Sequence, residues 1–291
     1  MRIPVVYSQL MVADSQHAVS ASAQKPALVA QALREEKYPV DFVDPEAVSL
    51  EDLQRVHEPS YVTGVLEGRI DNGFGNRSLE IARTLPYTSG SMLTAAKLAL
   101  AKKRAVVASL SSGFHHAKWH AGAGFCTFNG LMVTSAALIQ TNAVERIAVV
   151  DVDYHYGDGT DDILAHTGLA ANVLHVSFGK EFTSPDQATA YLKRLENLET
   201  ELSRFAPDLI LYSAGADAHI DDPLGGILST EQMGTRDEMM FAQAQRLGIP
   251  VVFNLAGGYQ RDVDGTIAPV IRLHLNTFSA ALRVHGLGAL H

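Results

Sequence analysis

The nine residues Asp151-Val152-Asp153-Tyr154-His155-Tyr156-Gly157-Asp158-Gly159 place three carboxylates and an imidazole in one short stretch. They follow Ile147-Ala148-Val149-Val150, an apolar run that reads as a buried strand of a parallel sheet. Charges that leave water must be paired or must coordinate a metal. In an extended chain alternate positions share a side, so Asp151, Asp153 and His155 face one point. Two oxygen donors and one imidazole converging there suit a Zn²⁺-type divalent ion with open coordination positions. The chemistry expected is that of a metal-dependent enzyme.

Such residues need elements to carry them. Residues 105–109, 147–152, 172–177, 209–213 and 251–255 read as strands, and 130–140, 185–205, 230–247 and 266–283 as helices. In the first hundred residues, helices are expected over 25–35, 59–67 and 90–102. Strands alternating with helices imply an α/β fold, with a central, mostly parallel sheet and helices on both faces. The polar clusters fall just after strands: His115-His116 after the first, the opening cluster after the second, Asp217 after 209–213, and Gly257-Gly258-Tyr259 after 251–255. Open α/β sheets bind ligands outside the carboxyl ends of their strands. Four separate segments delivering chemistry to one edge outweigh any single motif.

The 291 residues contain no low-complexity tract, Pro/Ser run or long charge block that would mark a linker, so 1–291 reads as one domain. At 47% hydrophobic and 19% charged the composition is that of an ordinary globular protein. A net charge of −9 argues against a nucleic-acid groove, because phosphate contacts are made mainly by Lys and Arg. It is compatible with cationic substrates, and solubility explains it equally well. The single cysteine, Cys126, rules out internal disulfides and fits a reducing compartment. Residues 1–16 hold too short an apolar run for a signal peptide and no segment is long enough to span a bilayer, so a cytoplasmic protein is expected.

Between 56 and 262 the chain resembles the histone deacetylase-type amidohydrolases of the arginase/deacetylase fold. The resemblance rests on HEPSYV at 57–62, GFHHA at 113–117, GFC at 124–126, DVDYHYGDGT at 151–160, SAGADAH at 213–219 and AGGYQ at 256–260. LGGILS at 224–229, RDEMMF at 236–241 and the GGYQ ending are most similar to class IV-like deacetylases, whereas HHA…GFC and SAGADAH look more like class II and bacterial relatives. Two departures stand out: Leu255-Ala256-Gly257-Gly258 replaces the usual glycine run, and the segment between Ser177 and Asp217 is short, so much of the rim loop is missing.

This resemblance implies Asp153, His155 and Asp217 as ligands of Zn²⁺, with Fe²⁺ as an alternative ion. It implies His116 as general base and His115 as a charged partner that protonates the leaving amine. Asp151 is implied as the carboxylate orienting His115, and Asp158 as that orienting His116. Tyr259 matches an oxyanion stabiliser. Gly124 and Phe125 match the wall of a substrate channel, with Phe182 as a poor match for the opposite wall. The family also implies K⁺ beneath the metal loop, held by oxygens of Asp151, Asp153, His155, Ser177 and Phe178, and a second, peripheral K⁺ near Leu164, Thr167 and Val173.

Each of these residues has a plainer reading. Asp153 and Asp217 taken singly are strand-end caps, tandem histidines are exposed loop residues, and a Gly-Tyr turn is structural. Phe182 reads equally well as packing under a loop, Cys126 as a buried filler, and Asp221-Asp222-Pro223 as a turn closing the site loop. His120, His166, His175 and His219 have no task. The constellation as a whole favours a site. The expected function is zinc-dependent hydrolysis of an acyl-lysine amide, on a protein, a peptide or a small acylated amine such as an acetylpolyamine. The shortened rim and the class IV-like motifs raise a preference for long acyl chains. Alternatives are a binuclear Mn²⁺ ureohydrolase, which lacks its Asp-x-Asp here because the later strand offers Asp217-Ala218-His219, and a non-catalytic acyl-lysine binder.

Overall fold

In the computed structural model, which describes residues 2–13, 21–102 and 105–286, the strands form one parallel sheet. They are β1 (Ile3–Val6), β2 (Val40–Val43), β3 (Val106–Ser109), β4 (Ile147–Asp151), β5 (Val173–Ser177), β6 (Leu209–Ser213) and β7 (Val251–Asn254), in the order β2-β1-β3-β7-β6-β4-β5. Every adjacent pair is parallel. β3, β7, β6 and β4 lie side by side and are buried along their whole length, which is why they read as continuous apolar runs. These four strands precede the four polar segments. Their carboxyl ends therefore form one row, and the chemistry-bearing residues project from it.

Alternate strand residues supply two apolar layers. Ala148, Val150, Ile210, Tyr212, Val251 and Phe253 face a layer built with α1 (Lys25–Glu35), α8 (Ala188–Phe205), α9 (Thr230–Leu247) and α10 (Ala268–Val284). Ile147, Val149, Leu209, Leu211 and Val252 face the opposite layer, with α2 (Leu50–Gln54), α3 (Pro59–Leu66), α4 (Leu79–Leu100), α5 (Gly130–Gln140) and α6 (Asp158–Thr167). A short α7 (Phe178–Glu181) follows β5. Caps fix several starts: Asn129 accepts from Met132 N at the head of α5, and Ser229 with Gln232 closes a capping box on α9.

Several elements depart from the pattern expected of the sequence. β1 and β2 are absent from the expected strands; β1 contains Pro4, but β3 pairs with only Val5 and Val6, so Pro4 owes no ladder hydrogen bond on that side. α4 begins at Leu79, not at 90, and runs through Pro86, whose carbonyl accepts from Val48 N at 3.0 Å. α6, absent from the expected helices, opens with Asp158-Gly159-Thr160-Asp161-Asp162 and runs to Thr167; Asp158 and Asp161 in its first turn suit the positive end of its dipole. Residues 14–16, part of the segment read for a leader, lie outside the described residues.

His57, buried between α2 and α3, ties the loop after β3 to α5. Its Nε2 accepts from Asn129 N at 2.9 Å, so its Nδ1–H donates to the Lys118 carbonyl at 2.9 Å. That pattern requires a neutral ring, and burial pushes the His57 pKa down to about 4 despite the Lys118 carbonyl. Below the ordinary histidine value the unfolded chain binds a proton that the folded chain refuses. Stability contributed here therefore falls as pH drops from about 6.5 towards 4, by about 2 kcal/mol at pH 5. Urea denaturation of wild type and His57→Gln at pH 7.5 and 5 should show a smaller acid loss in the variant; an equal loss would contradict the assignment.

Candidate active site

Asp153, His155 and Asp217 each offer one ligand atom within 4.8 Å of the others. His155 Nδ1 lies 3.2 Å from Asp153 Oδ1 and 2.9 Å from Asp217 Oδ2. Donors bound at about 2.0–2.1 Å in tetrahedral geometry are separated by roughly 3.3 Å, so the cluster has the span of a first-row divalent ion. Both carboxylates are buried. Burial and the neighbouring Asp153 charge push the Asp217 pKa up to about 7. Asp153 is held below the usual carboxylate range, where burial is outweighed by His115 and by the hydrogen bond from His155. His155 is raised to about 11 by its bonds to both carboxylates, against burial. A donor set that holds protons so tightly attracts a divalent cation for the same reason.

Asp151, grouped with Asp153 and His155 by alternation alone, turns elsewhere. β4 ends at Asp151, and beyond it the chain bends, so the period of two lapses. Asp151 Oδ2 accepts from His115 Nδ1 at 2.7 Å, which directs His115 Nε2 towards Asp153 Oδ1, 3.8 Å away. His116 Nδ1 donates to Asp158 Oδ1 at 2.7 Å, and Lys118 Nζ contacts the other Asp158 oxygen at 2.9 Å. The two imidazoles lie 4.2 Å apart between centroids. Their environments differ. Burial opposes charge on His115, yet Asp151 and Asp153 raise it to about 9. Burial and the His115 charge lower His116. One ring is held charged and the other neutral with a free Nε2 lone pair, the division that general acid–base chemistry requires.

Tyr259 lies beside this cluster, its ring 6.2 Å from His155 and 5.9 Å from Phe125. Burial, together with Asp217 and Asp153, pushes its phenol above the ordinary tyrosine range, keeping it a proton donor. Gly257, at φ 51, must be glycine: a Cβ there would lie 2.3 Å from the Asp217 carboxyl carbon. Gly124 is equally constrained at φ 53, where a Cβ would meet His116 Cδ2 at 2.5 Å. Phe125 follows in the left-handed region at φ 64, held by its N–H on the Gly73 carbonyl at 2.9 Å. Such backbone is concentrated where a side chain must be aimed.

Three neighbours of the site carry no sequence signal. Lys25 is buried and its Nζ donates to the Gly257 carbonyl; burial lowers it to about 8 against the pull of Asp217 and Asp153. Asp222, read only as part of a turn, is buried and its Oδ2 accepts from Tyr259 N at 2.7 Å. Phe74 packs on Phe125 at 5.7 Å. Burial of a lysine and of an Asx carboxylate depends on tertiary packing, which local pattern does not carry.

Phe182 and Cys126 fall where the plainer readings put them. Phe182 is buried against Phe178 and Tyr191 in the core layer. Cys126 is buried, and burial raises its thiol. Ser177 pairs with Asp151 across β4 and β5, its Oγ accepting from Gly157 N at 3.0 Å, and Phe178 follows it into α7. Leu164 and Thr167 lie on α6, and Val173 opens β5. His166 stacks on Trp119, and His175 Nδ1 donates to Asp161 Oδ1 at 2.7 Å.

With His155 raised to about 11 and Asp217 to about 7, loading a divalent ion at pH 7 must expel at least about one proton. Titration calorimetry of Zn²⁺ binding in buffers of different ionisation enthalpy should show this release, and Asp217→Ala should weaken binding at least about a hundred-fold. Binding without proton release, or undiminished binding by the variant, would contradict the assignment.

The histone deacetylase domain model matches residues 19–185 and 180–273. An uncharacterised protein of Picosynechococcus sp. is 30% identical over 242 residues, covering 76% of this chain and 80% of its own length. Histone deacetylase 2 of Arabidopsis thaliana is 28% identical over 272 residues, covering 84% and 69%. The acetylpolyamine amidohydrolase of Burkholderia pseudomallei is 27% identical over 237 residues, covering 70% and 67%. Among solved structures, the acetylpolyamine aminohydrolase from Burkholderia pseudomallei matches with a TM-score of 0.74 at 19% identity, over 97% of this chain and 99% of that one, a likeness of fold. With the family model spanning most of the sequence, the chain belongs to the histone deacetylase domain family and is a hydrolase.

Proposed function

We propose that this hydrolase cleaves the amide of acyl-lysine in a protein or peptide, with Asp153, His155 and Asp217 holding Zn²⁺ or Fe²⁺. The observation that carries this reading is the pair of separate His–carboxylate couples, each 2.7 Å long, set against the donor cluster. A divalent ion held by those three residues polarises the substrate carbonyl and makes water more acidic. His116, with Nδ1–H committed to Asp158, takes the proton of the attacking water at Nε2. His115, charged on Asp151, donates from Nε2 to the leaving amine nitrogen. The Tyr259 phenol donates to the carbonyl oxygen as negative charge grows on it. Phe125, Gly124 and Phe74 line the path of the aliphatic stem. K⁺ is assigned beneath the loop, on oxygens of Asp151, Asp153, His155, Ser177 and Phe178, where the 151–155 segment and β5 lie side by side. Residues 1–291 are taken as one catalytic domain in a reducing, cytoplasmic setting, which the single buried Cys126 suits.

A cavity lined by apolar residues such as Met11, Ile81, Leu85 and Phe128, and by hydroxyls such as those of Thr84 and Thr88, shares Ser22, Ser112, Gly113, Phe114 and Phe125 with the pocket at Asp153 and Tyr259. This supports acyl chains longer than acetyl. A second reading, hydrolysis of acetylpolyamines or other small acylated amines, draws on the sequence likeness to the Burkholderia pseudomallei amidohydrolase.

Comparison of kcat/KM on acetyl-, decanoyl- and myristoyl-lysine peptides and on acetylpolyamines decides among these substrates. Preference for the longer acyl peptides is expected, and preference for an acetylpolyamine would overturn the lysine assignment. Tyr259→Phe and His116→Ala should each lower kcat by about 10²–10³-fold with one metal per chain retained. Undiminished turnover in both would reject the assigned roles, and two tightly bound Mn²⁺ ions per chain would reject a mononuclear deacylase.

A further inference from the structure

A phenol that stabilises a developing oxyanion must be held to within a fraction of an ångström, yet Tyr259 lies beyond β7 in a loop entered through two positive-φ glycines, Gly257 and Gly258. Its ring gains orientation from Phe125 and His155 only through van der Waals contact. The constraint comes from the neighbouring loop that follows β6. Asp222 Oδ2 accepts from Tyr259 N at 2.7 Å. His219, two residues beyond Asp217, makes the second connection: its Nδ1 lies 2.7 Å from Gln260 Nε2 and receives Asp221 N at 3.2 Å, while its Nε2 meets Thr230 Oγ1 at 2.8 Å.

The hydrogen-bond roles are determined. A backbone N–H only donates, so Asp221 N makes Nδ1 of His219 an acceptor. Gln260 must then present its amide NH₂, and the His219 Nε2–H donates to Thr230 at the head of α9. The ring is buried, and its plane is fixed from both sides. The loop carrying the Asp217 ligand therefore grips the residue immediately after Tyr259.

We propose that His219 and Gln260 are positioning residues for the reaction: through their hydrogen bond they fix the Tyr259 phenol relative to the Asp153–His155–Asp217 cluster. This rests on the hydrolytic role given to Tyr259 above. Neither residue touches the reacting atoms. The coupling makes the ligand loop and the oxyanion donor move as one unit, so the distance between them is set by the protein before substrate binds.

Gln260→Met keeps the side-chain length and replaces the amide by a thioether, removing the N–H that meets His219. Gln260→Met, Tyr259→Phe and their combination form a double-mutant cycle. Gln260→Met is expected to lower kcat about ten-fold with KM within about two-fold and zinc content unchanged. In the Tyr259→Phe background it should have no further effect. Amide hydrogen exchange, read independently of turnover, should accelerate at Tyr259 while β7 stays protected. Unchanged kcat, the same fold-loss in both backgrounds, or unaltered exchange at Tyr259 would overturn the proposal. If the wild type cleaves no acylated amine, the hydrolytic reading fails, and the exchange measurement alone decides whether the His219–Gln260 hydrogen bond fixes Tyr259.

Discussion

Four buried or half-buried aspartates at the end of one sheet must each find a positive partner, and the site is arranged by how they divide. Asp151 and Asp158 take the two imidazoles of His115 and His116; Asp153 and Asp217 share His155 and leave a cluster rich in acceptors. Breaking a buried pair by deleting one member costs about 3–5 kcal/mol, because the survivor is stranded away from water. Each imidazole is thereby locked in tautomer and direction. The remaining two carboxylates, 0–1% exposed, are left with a demand for cationic charge that one histidine meets only in part.

The sheet makes this division geometrically possible. β3, β7, β6 and β4 are neighbours, so segments distant in sequence emerge at one edge, each from a rigid, wholly buried strand. Apolar layers on both faces hold the strands, and the loops inherit their precision. Where the loops need more, short-range devices supply it: His57 clips the segment just after His115 and His116 to the head of α5, Lys25 holds the Gly257 carbonyl, and Asp222 receives Tyr259 N.

Much of this was legible in the sequence because it depends on local pattern. Five strands with continuous apolar runs, and polar residues immediately after four of them, sufficed to place His115, His116, Asp151, Asp153, His155, Asp158, Asp217 and Tyr259 together. Alternation failed at Asp151, because the strand ends there and the residues beyond follow no fixed period. β1 was hidden by Pro4, α6 by its glycine and aspartates, and the first half of α4 by Pro86, three cases in which tertiary packing overrides local preference. Lys25, Asp222 and His219 were illegible for another reason: their significance is a single long-range hydrogen bond, and nothing in their flanking residues encodes its partner.

The division of carboxylates is tested most directly at Asp158, which orients His116 without belonging to the donor cluster. Measurement of kcat/KM and Zn²⁺ affinity for Asp158→Asn side by side separates the two tasks. A loss of kcat/KM of about a hundred-fold with Zn²⁺ affinity unchanged is expected. Loss of Zn²⁺ affinity in proportion to turnover, or turnover retained in full, would contradict the division.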